Sequence, residues 1–360
     1  MHEPHPLLPL LGRGADPEQV RHVRELPGRE AETAAWPETI HPDVVAAYGA
    51  MGIDKPYAHQ ARAIRAAGES HVIVATGTAS GKSLAYQAPV LSNLHRGRLA
   101  ARRAPGRLQH PDEATALYLS PTKALAADQL SALEGLIRRG GGPDGVGLDV
   151  RARTYDGDTP VSERRWIRDH ADAVLCNPDM LHAGVLPNHQ QWSRFLRRLR
   201  WVIVDEAHVY RGVFGSHVAV VLRRLQRVAA LYGAAPVFIG ASATSARPQD
   251  SFARLIGAPS EEVTAIREDT SPHGPVTVVL WEPEQSGAEG ENGAPVRRSA
   301  VVEAAEMLTD LVLRQVRTLA FVGSRRGSET IAQIAHRQLE EVEPGLAHRV
   351  AAYRSGYLPE

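Results

Sequence analysis

The chain has 360 residues, enough for two or three domains, and its 43% hydrophobic and 23% charged residues allow a sizeable buried core. Lys plus Arg (41) balances Asp plus Glu (41), which excludes a globally basic nucleic-acid binder and restricts any such contact to a local patch. The single cysteine excludes an internal disulfide framework and a Cys-rich zinc site.

Residues 1–52 are Pro-rich and weakly patterned and read as a lead-in. Met1–Leu11 lacks a charged region followed by an apolar one, so it does not read as a signal peptide. No run approaches the ~20 apolar residues of a bilayer span. A reducing, cytoplasmic setting without a membrane partner is expected. Two short helices are expected, near Pro17–Leu26 and His41–Met51, the second with Pro42 in its first turn.

Residues 53–257 change rhythm. Short apolar runs (His71–Ala75, Ala116–Leu119, Val150–Thr154, Ala173–Cys176, Trp201–Val204 and Pro236–Ile239) alternate with helical stretches at Ser83–Leu94, Lys123–Arg139, Val161–Arg168 and Gly215–Leu231. Runs that are apolar throughout are buried on both faces, and their alternation with helices predicts a parallel α/β sheet. Ligands of such sheets sit at the carboxyl ends of the strands, where the polar motifs of this chain fall. Cys176, beside Val174 and Leu175, reads as a small core residue.

The strongest motif is ATGTASGKS, Ala75–Ser83, between an apolar strand and a helix. In a phosphate-binding loop, backbone N–H groups wrap the phosphates. Thr76, Gly77, Thr78, Ala79, Ser80 and Gly81 supply that backbone, Lys82 faces the β/γ oxygens, and the Ser83 hydroxyl suits Mg²⁺. Thr76 stands where the strict pattern has its first glycine, and Ala79 where many such loops have another; the plainer reading is a Gly/Ser turn before a helix. The second motif is VIVDEAH, Val202–His208, with Asp205 as metal carboxylate and Glu206 as the group that polarises water. Together the two make a Walker A and Walker B pair. Ser242-Ala243-Thr244 follows the next strand and is placed to sense the γ-phosphate. Tyr57 and Gln60 precede the loop; the amide suits an adenine edge and the ring can stack on it, or Gln60 is a helix cap.

Three further strand ends carry polar loops: SPTKALAADQ with Pro121, Thr122 and Lys123; YDGDTP with Gly157 and Asp158; and NPDMLH with Asn177 and Pro178. As a set they read as a row of nucleic-acid phosphate contacts, and individually as ordinary polar turns. The run Trp192–Trp201 holds four arginines on no single face and reads as a helix packed by Trp192, Phe195, Leu196 and Leu199.

Residues 258–299 read as a linker region with one strand, Val276–Trp281, and a flexible stretch over 283–296. From residue 300 to 360 the β/α rhythm restarts, with helices near Ala300–Arg314 and Gly327–Leu339 and strands at Thr318–Val322 and Val350–Tyr353. Two or three strands are too few to close a covered sheet, so a partial second α/β domain is expected. Arg325 follows its first strand and is a candidate contact to nucleotide or nucleic-acid backbone.

Taken in order, Tyr57/Gln60, ATGTASGKS, SPTKALAADQ, YDGDTP, NPDMLH, VDEAH and SAT resemble a superfamily 2 helicase of the DEAD/DEAH-box type. More narrowly, Asp205–Ala219, Ser271–Pro283 and Ala351–Glu360 resemble the RecQ-like DNA-repair branch of MrfA-type helicases. The resemblance implies a RecA-like ATP-binding domain and an incomplete second RecA-like domain. It also implies an ATP- and Mg²⁺-dependent motor on single-stranded DNA with 3′→5′ polarity. RNA remains open as the track, because the core contacts backbone. The branch's four-Cys cluster and arginine finger have no counterpart here, and Glu360 falls inside a motif. The chain is therefore expected to be a fragment, either of a longer motor or acting as an ATP-gated binding module without turnover.

Overall fold

The computed structural model describes residues 19–103, 113–140, 147–243, 245–289 and 295–353. They form two compact units: Arg29–His273, and the segments before and after it.

The chain opens with β1 (Val20–Leu26), then α1 (Pro42–Gly49) and α2 (Ala58–Ala66). An alternating series follows: β2 (His71–Val74), α3 (Lys82–Arg103), β3 (Thr115–Leu119), α4 (Lys123–Arg139), β4 (Ala152–Thr154), α5 (Val161–His170) and β5 (Ala173–Cys176). Two short helical pieces, α6 (Pro178–Met180) and α7 (Ser193–Arg197), lead to β6 (Leu199–Val204), α8 (Gly212–Leu231), β7 (Val237–Ala241), α9 (Pro248–Ile256) and β8 (Val263–Ile266). Beyond lie β9 (Val276–Trp281), β10 (Gln285–Glu289), β11 (Pro295–Arg297), α10 (Ala300–Leu313) and α11 (Arg325–Val342).

Seven strands of the Arg29–His273 unit form one parallel sheet in the order β4-β5-β3-β6-β7-β2-β8. This is the α/β fold expected of a RecA-like domain. The central strands β3 and β5 are buried at every position, which is why they read as unbroken apolar runs. Helices cover both faces and create two cores. One gathers Val72, Val74, Tyr86, Leu91, Tyr118 and Ile203; the other gathers Ile73, Leu117, Val202, Phe238, Phe252 and Trp192. Alternate residues of β2 and β6 thus feed opposite faces. Because the strands are parallel, all their carboxyl ends lie on one edge. The sheet order places the loops after β4, β5 and β3 along one half of that edge. The loops after β6, β7, β2 and β8 occupy the other half.

Several expectations change. The helix expected near Pro17–Leu26 is instead strand β1, antiparallel to β9 from Val20↔Trp281 to Leu26↔Val276. Tertiary pairing overrides a weak helical pattern here. Strand β8, beyond the expected end of the sheet at residue 257, pairs parallel to β2. Within 283–296, β10 and β11 form an antiparallel pair. Thr318–Val322 and Val350–Tyr353 form no strand. Among the described residues no strand lies beside either one to supply backbone partners, and Leu319 and Phe321 are 81% and 91% exposed. In the segments outside Arg29–His273, α10 and α11 pack on a small core of Ala332, Ala335, Leu339, Ala347 and Val350. Of the Trp192–Trp201 run, expected as a helix, only Ser193–Arg197 is helical and Leu199–Trp201 belong to β6, but Trp192, Phe195, Leu196 and Leu199 are buried as expected. Cys176 is a buried free thiol whose pKa is pushed up to about 12 by burial.

Candidate nucleotide site at the carboxyl edge of the sheet

The loop Ala75–Ser83 leaves β2 and enters α3 at Lys82. It turns by taking left-handed backbone twice, at Ala79 (φ 61°) and Gly81 (φ 73°). Alternating right- and left-handed residues make a concave row of N–H groups suited to anions. Thr76 Oγ1 contacts Ser80 Oγ at 2.7 Å, and Ser80 Oγ donates to the Gly77 carbonyl at 2.8 Å. A side chain at either glycine would press on the end of a neighbouring side chain. A Cβ on Gly81 would lie 2.6 Å from Gln60 Nε2, and one on Gly77 would lie 3.0 Å from Asp269 Oδ2.

Lys82 Nζ donates to the carbonyls of Gly77 (2.6 Å) and Thr76 (3.3 Å), holding the ammonium across the loop. Burial lowers its pKa, and the negative charges of Glu206, Asp269 and Asp205 oppose that shift. The ammonium therefore shares one electrostatic neighbourhood with the carboxylates that end β6. Asp205 continues the sheet, its N–H donating to the Leu119 carbonyl at 2.9 Å, and its Oδ1 accepts from Glu206 N–H at 3.1 Å. Burial and the adjacent Glu206 charge push the Asp205 pKa up to about 6, against the pull of Glu206 N–H and Lys82. A cation placed here would relieve both causes. Glu206 holds left-handed backbone (φ 49°) where the chain leaves β6.

Ser83 sits at the start of α3, and its Oγ accepts from Tyr86 Oη at 3.3 Å. The buried Ser242 extends β7 by donating its N–H to the Val74 carbonyl at 2.9 Å, while its hydroxyl donates to the Ala243 carbonyl. Thr244 lies outside the described residues. Ala243 N–H donates to His208 Nδ1 at 3.3 Å, and the same nitrogen lies 3.2 Å from Glu206 Oε2. His208, a residue the motif reading passed over, thus links the β6 and β7 loops.

Gln60 is spent on structure. Its Oε1 accepts from Tyr57 N–H and its Nε2 donates to the Gly81 carbonyl, both at 2.8 Å. The helix-cap reading therefore holds, and the cap doubles as a strut to the loop. The Tyr57 ring stacks on His59 with centroids 5.9 Å apart. Asp269, after β8, was also missed. It accepts from Ser271 N–H (2.9 Å) and Ser271 Oγ (2.6 Å) and pairs with Arg29 at 3.1 Å. Burial works against its charge, but the Ser271 hydrogen bonds and Arg29 hold its pKa below the usual carboxylate value. The signal that could have found it is the short apolar Val263–Ile266 followed by a polar loop, the same pattern as the other site loops.

On the other half of the edge, Lys123 Nζ pairs with Asp158 Oδ2 at 2.8 Å and ties the loops after β3 and β4; Gly157 lies beside that ammonium, at 3.5 Å from its Cβ position. Pro121 and Thr122 precede α4, where Thr122 caps the helix by accepting from Leu125 N–H at 3.3 Å. Asn177 caps α6 by accepting from Met180 N–H at 2.8 Å, with Pro178 in its first turn. Thr122 and Asn177 are therefore ordinary caps as they stand. Arg325 lies exposed in the first turn of α11, in the other unit.

The DEAD/DEAH box helicase family profile matches residues 57–252. The chain belongs to the DEAD/DEAH box helicase family. Among relatives of this family, it is 38% identical over 347 residues to the uncharacterized ATP-dependent helicase YprA of Bacillus subtilis, covering 95% of this chain and 42% of YprA. It is 36% identical over 343 residues to the ATP-dependent helicase HRQ1 of Saccharomyces cerevisiae, covering 94% of this chain and 29% of HRQ1. The crystal structure of the helicase MrfA bound to DNA superposes with a TM-score of 0.83 at 36% identity, over 96% of this chain and 45% of that one. A second MrfA structure, bound to DNA and AMPPNP, gives a TM-score of 0.80 at 35% identity, over 95% of this chain and 44% of that one. The chain thus spans less than half the length of these relatives. No helix among the described residues is long and apolar enough to cross a membrane.

Proposed function

We propose that this helicase-family chain is the ATP-binding part of a motor that moves along single-stranded DNA. The observation that carries the reading is the meeting of Lys82 with Glu206, Asp269 and Asp205 beside a loop of left-handed turns. The residues fit ATP with Mg²⁺. Ser83 and Asp205 offer the hard oxygen ligands that Mg²⁺ prefers. Bound there, the ion neutralises charge on the β- and γ-oxygens.

In this reading Thr76–Gly81 hold the phosphates through backbone N–H groups and Lys82 carries the opposite charge. Glu206 orients the attacking water and takes its proton. The His208 contact to Ala243 carries the state of that carboxylate to the Ser242–Thr244 loop. Tyr57 and Gln60 border the loop where a base would lie, Gln60 acting mainly through its strut to Gly81. Pro121, Thr122, Lys123, Gly157, Asp158, Asn177 and Pro178 are proposed to face the nucleic-acid backbone; Arg325, in the other unit, is proposed by itself as a nucleic-acid contact.

DNA as the track is supported by MrfA, whose structures hold DNA. The 3′→5′ polarity and a role in repair rest on likeness to that branch. The test is fluorescence anisotropy of labelled single strands with this chain and AMPPNP. DNA bound at least as tightly as RNA, and released when the nucleotide is withdrawn, supports the reading. A tenfold preference for RNA, or no binding of either, overturns it.

A further inference from the structure

The arginine-rich run before β6 takes no part in the nucleotide site. As one helix it would scatter its arginines over several faces. The structure breaks it between α7 and β6, and three of its four arginines, Arg197, Arg198 and Arg200, line one cleft of about 420 Å³ with Arg96 of α3. Glu113 and Ala234 line it too. These residues precede or begin β3, β6 and β7, or stand late on α3, so the cleft opens on the amino edge of the sheet, opposite the phosphate loop. Arg96 stands 14 residues beyond Lys82 along α3, about 21 Å. That distance exceeds the Debye length of ~8 Å at physiological salt, so the charges of the two sites act independently.

Glu113 is the one carboxylate lining the cleft among the described residues, and it is already engaged. Its Oε2 accepts from Arg198 Nη2 at 2.6 Å, and both side chains are largely buried. Arg96, Arg197 and Arg200 are exposed and, among the described residues, meet no carboxylate within ion-pair distance. Arg96 Nη2 donates to the Thr39 carbonyl at 3.0 Å, and the Arg200 guanidinium lies over the Trp201 ring, 5.4 Å from its centroid. Both contacts hold a cation in place without neutralising it. Burial lowers the Arg198 pKa, Glu113 opposes this, and the charges of Arg194 and Arg197 add to it. Three guanidiniums without counter-charge around one cleft repel one another, in a chain whose charges cancel overall. An anion with several oxygens relieves that repulsion, and guanidinium forks match phosphate. The side-chain amide in the cleft is occupied, since Asn93 Oδ1 accepts from Trp201 Nε1–H at 2.8 Å. The cleft thus offers charge and no free amide to read a base edge.

We propose that this cleft holds the phosphate backbone of a single nucleic-acid strand, at a site separate from the nucleotide and on the opposite edge of the sheet. A cleft of this volume admits one backbone and not the two of a duplex. Unwinding a duplex yields two strands. The carboxyl edge takes one in the function proposed above, and a site that reads only charge suits the other. The proposal shares with that function only its partner, nucleic acid, and is tested without nucleotide.

The test is fluorescence anisotropy of a labelled oligothymidine with the nucleotide-free chain across a salt series starting near 20 mM, where screening is weak. The double variant Arg197→Gln/Arg200→Gln is expected to bind at least about tenfold more weakly at the lowest salt. Its plot of log affinity against log salt is expected to be shallower by about 1.4, at about 0.7 for each lost phosphate contact. Arg197→Lys/Arg200→Lys keeps the charge and is expected to stay within about threefold of the parent. All three proteins should melt at similar temperatures and bind AMPPNP equally. A photoreactive oligothymidine should crosslink to the peptides that carry Arg96 and Arg197–Arg200. Unchanged affinity and slope in the glutamine variant, or displacement of the strand by polyglutamate at equal affinity, overturns the proposal. Crosslinks confined to the loops after β3, β4 and β5 overturn it as well and leave the function proposed above standing.

Discussion

Ala79 and Glu206 hold left-handed backbone that side chains usually avoid, and both stand in the candidate site. Left-handed geometry costs an alanine about 1–2 kcal/mol. Glycine escapes that cost but loses more freedom on folding, by roughly 0.5–1 kcal/mol. Ala79→Gly should therefore stabilise the chain by at most about 1.5 kcal/mol in urea unfolding and leave AMPPNP affinity nearly unchanged. Ala79→Val, β-branched at positive φ, should lose at least about 2 kcal/mol and most of the affinity. Equal behaviour of the two variants would show that the loop does not keep this backbone.

Buried Asp172, outside the site, carries a pH prediction. It accepts from Arg151 N–H at 3.0 Å, yet burial outweighs this bond and the nearby Arg98 and pushes its pKa up to about 6. A carboxyl whose folded pKa is raised stabilises the fold below its unfolded pKa of ~3.9, and that contribution is lost as pH rises through the folded value. The loss amounts to roughly 3 kcal/mol by pH 7. Asp172→Asn keeps an acceptor for Arg151 and carries no charge. It should gain stability over the parent as pH rises from 4 to 7, measured by thermal melts across that window. A gap between the two that stays constant with pH would contradict the assignment. Sequence alone exposed none of this, because Asp172 reads as an ordinary polar residue before a strand.

At the level of elements, close approach between β7 and its covering helix is set by Gly240. A Cβ there would lie 2.6 Å from both Ile73 Cδ1 and Phe252 Cε2. Gly240→Ala should cost about 1–3 kcal/mol through overpacking, seen as a lower urea midpoint with an unchanged slope. A neutral result would mean that α9 moves away freely. Of the six sheet strands β2 to β7, five were legible as short, mainly apolar runs bounded by polar residues, while β4 (Ala-Arg-Thr) was placed by the alternating rhythm around it. Lys82, Asp205 and Ser242 were legible because their loops follow those runs. The strand β1 and the role of Asp269 were not. Val20–Leu26 is mostly exposed and has no core to pattern its sequence, and its pairing with β9 spans about 250 residues. Val263–Ile266 and the polar loop after it mark Asp269 locally, but that the carboxylate reaches the phosphate loop depends on β8 joining the far side of β2, which the sequence does not show. The two missing strands of the later segment illustrate the converse. Thr318–Val322 has the composition of a strand, but a ladder needs neighbours.

At the scale of the molecule, charge balances overall, and it balances locally as well on both halves of the sheet edge. Lys82 and Lys123, two of only three lysines in a chain whose other basic residues are arginine, stand on the two halves of that edge. Lys82 meets the carboxylates of the nucleotide half, and Lys123 meets Asp158 on the other. His41, Asp43 and His95 gather elsewhere with ligand atoms within 4.8 Å of one another. His95 Nδ1 accepts from Asp149 N–H at 2.9 Å, so its Nε2 bears the proton it shares with Asp43 at 2.9 Å. That arrangement ties α1 to α3 and leaves no lone pair on Nε2 for a metal.

The most direct test of the whole account is calorimetric titration of AMPPNP into the chain with and without Mg²⁺, for the parent and for Lys82→Ala. The account predicts binding that Mg²⁺ tightens in the parent and a loss of at least about a hundredfold in Lys82→Ala with an unchanged melting temperature. Equal affinity in the two proteins would contradict it, since the ammonium facing Asp205 and Glu206 would then take no part in holding the triphosphate.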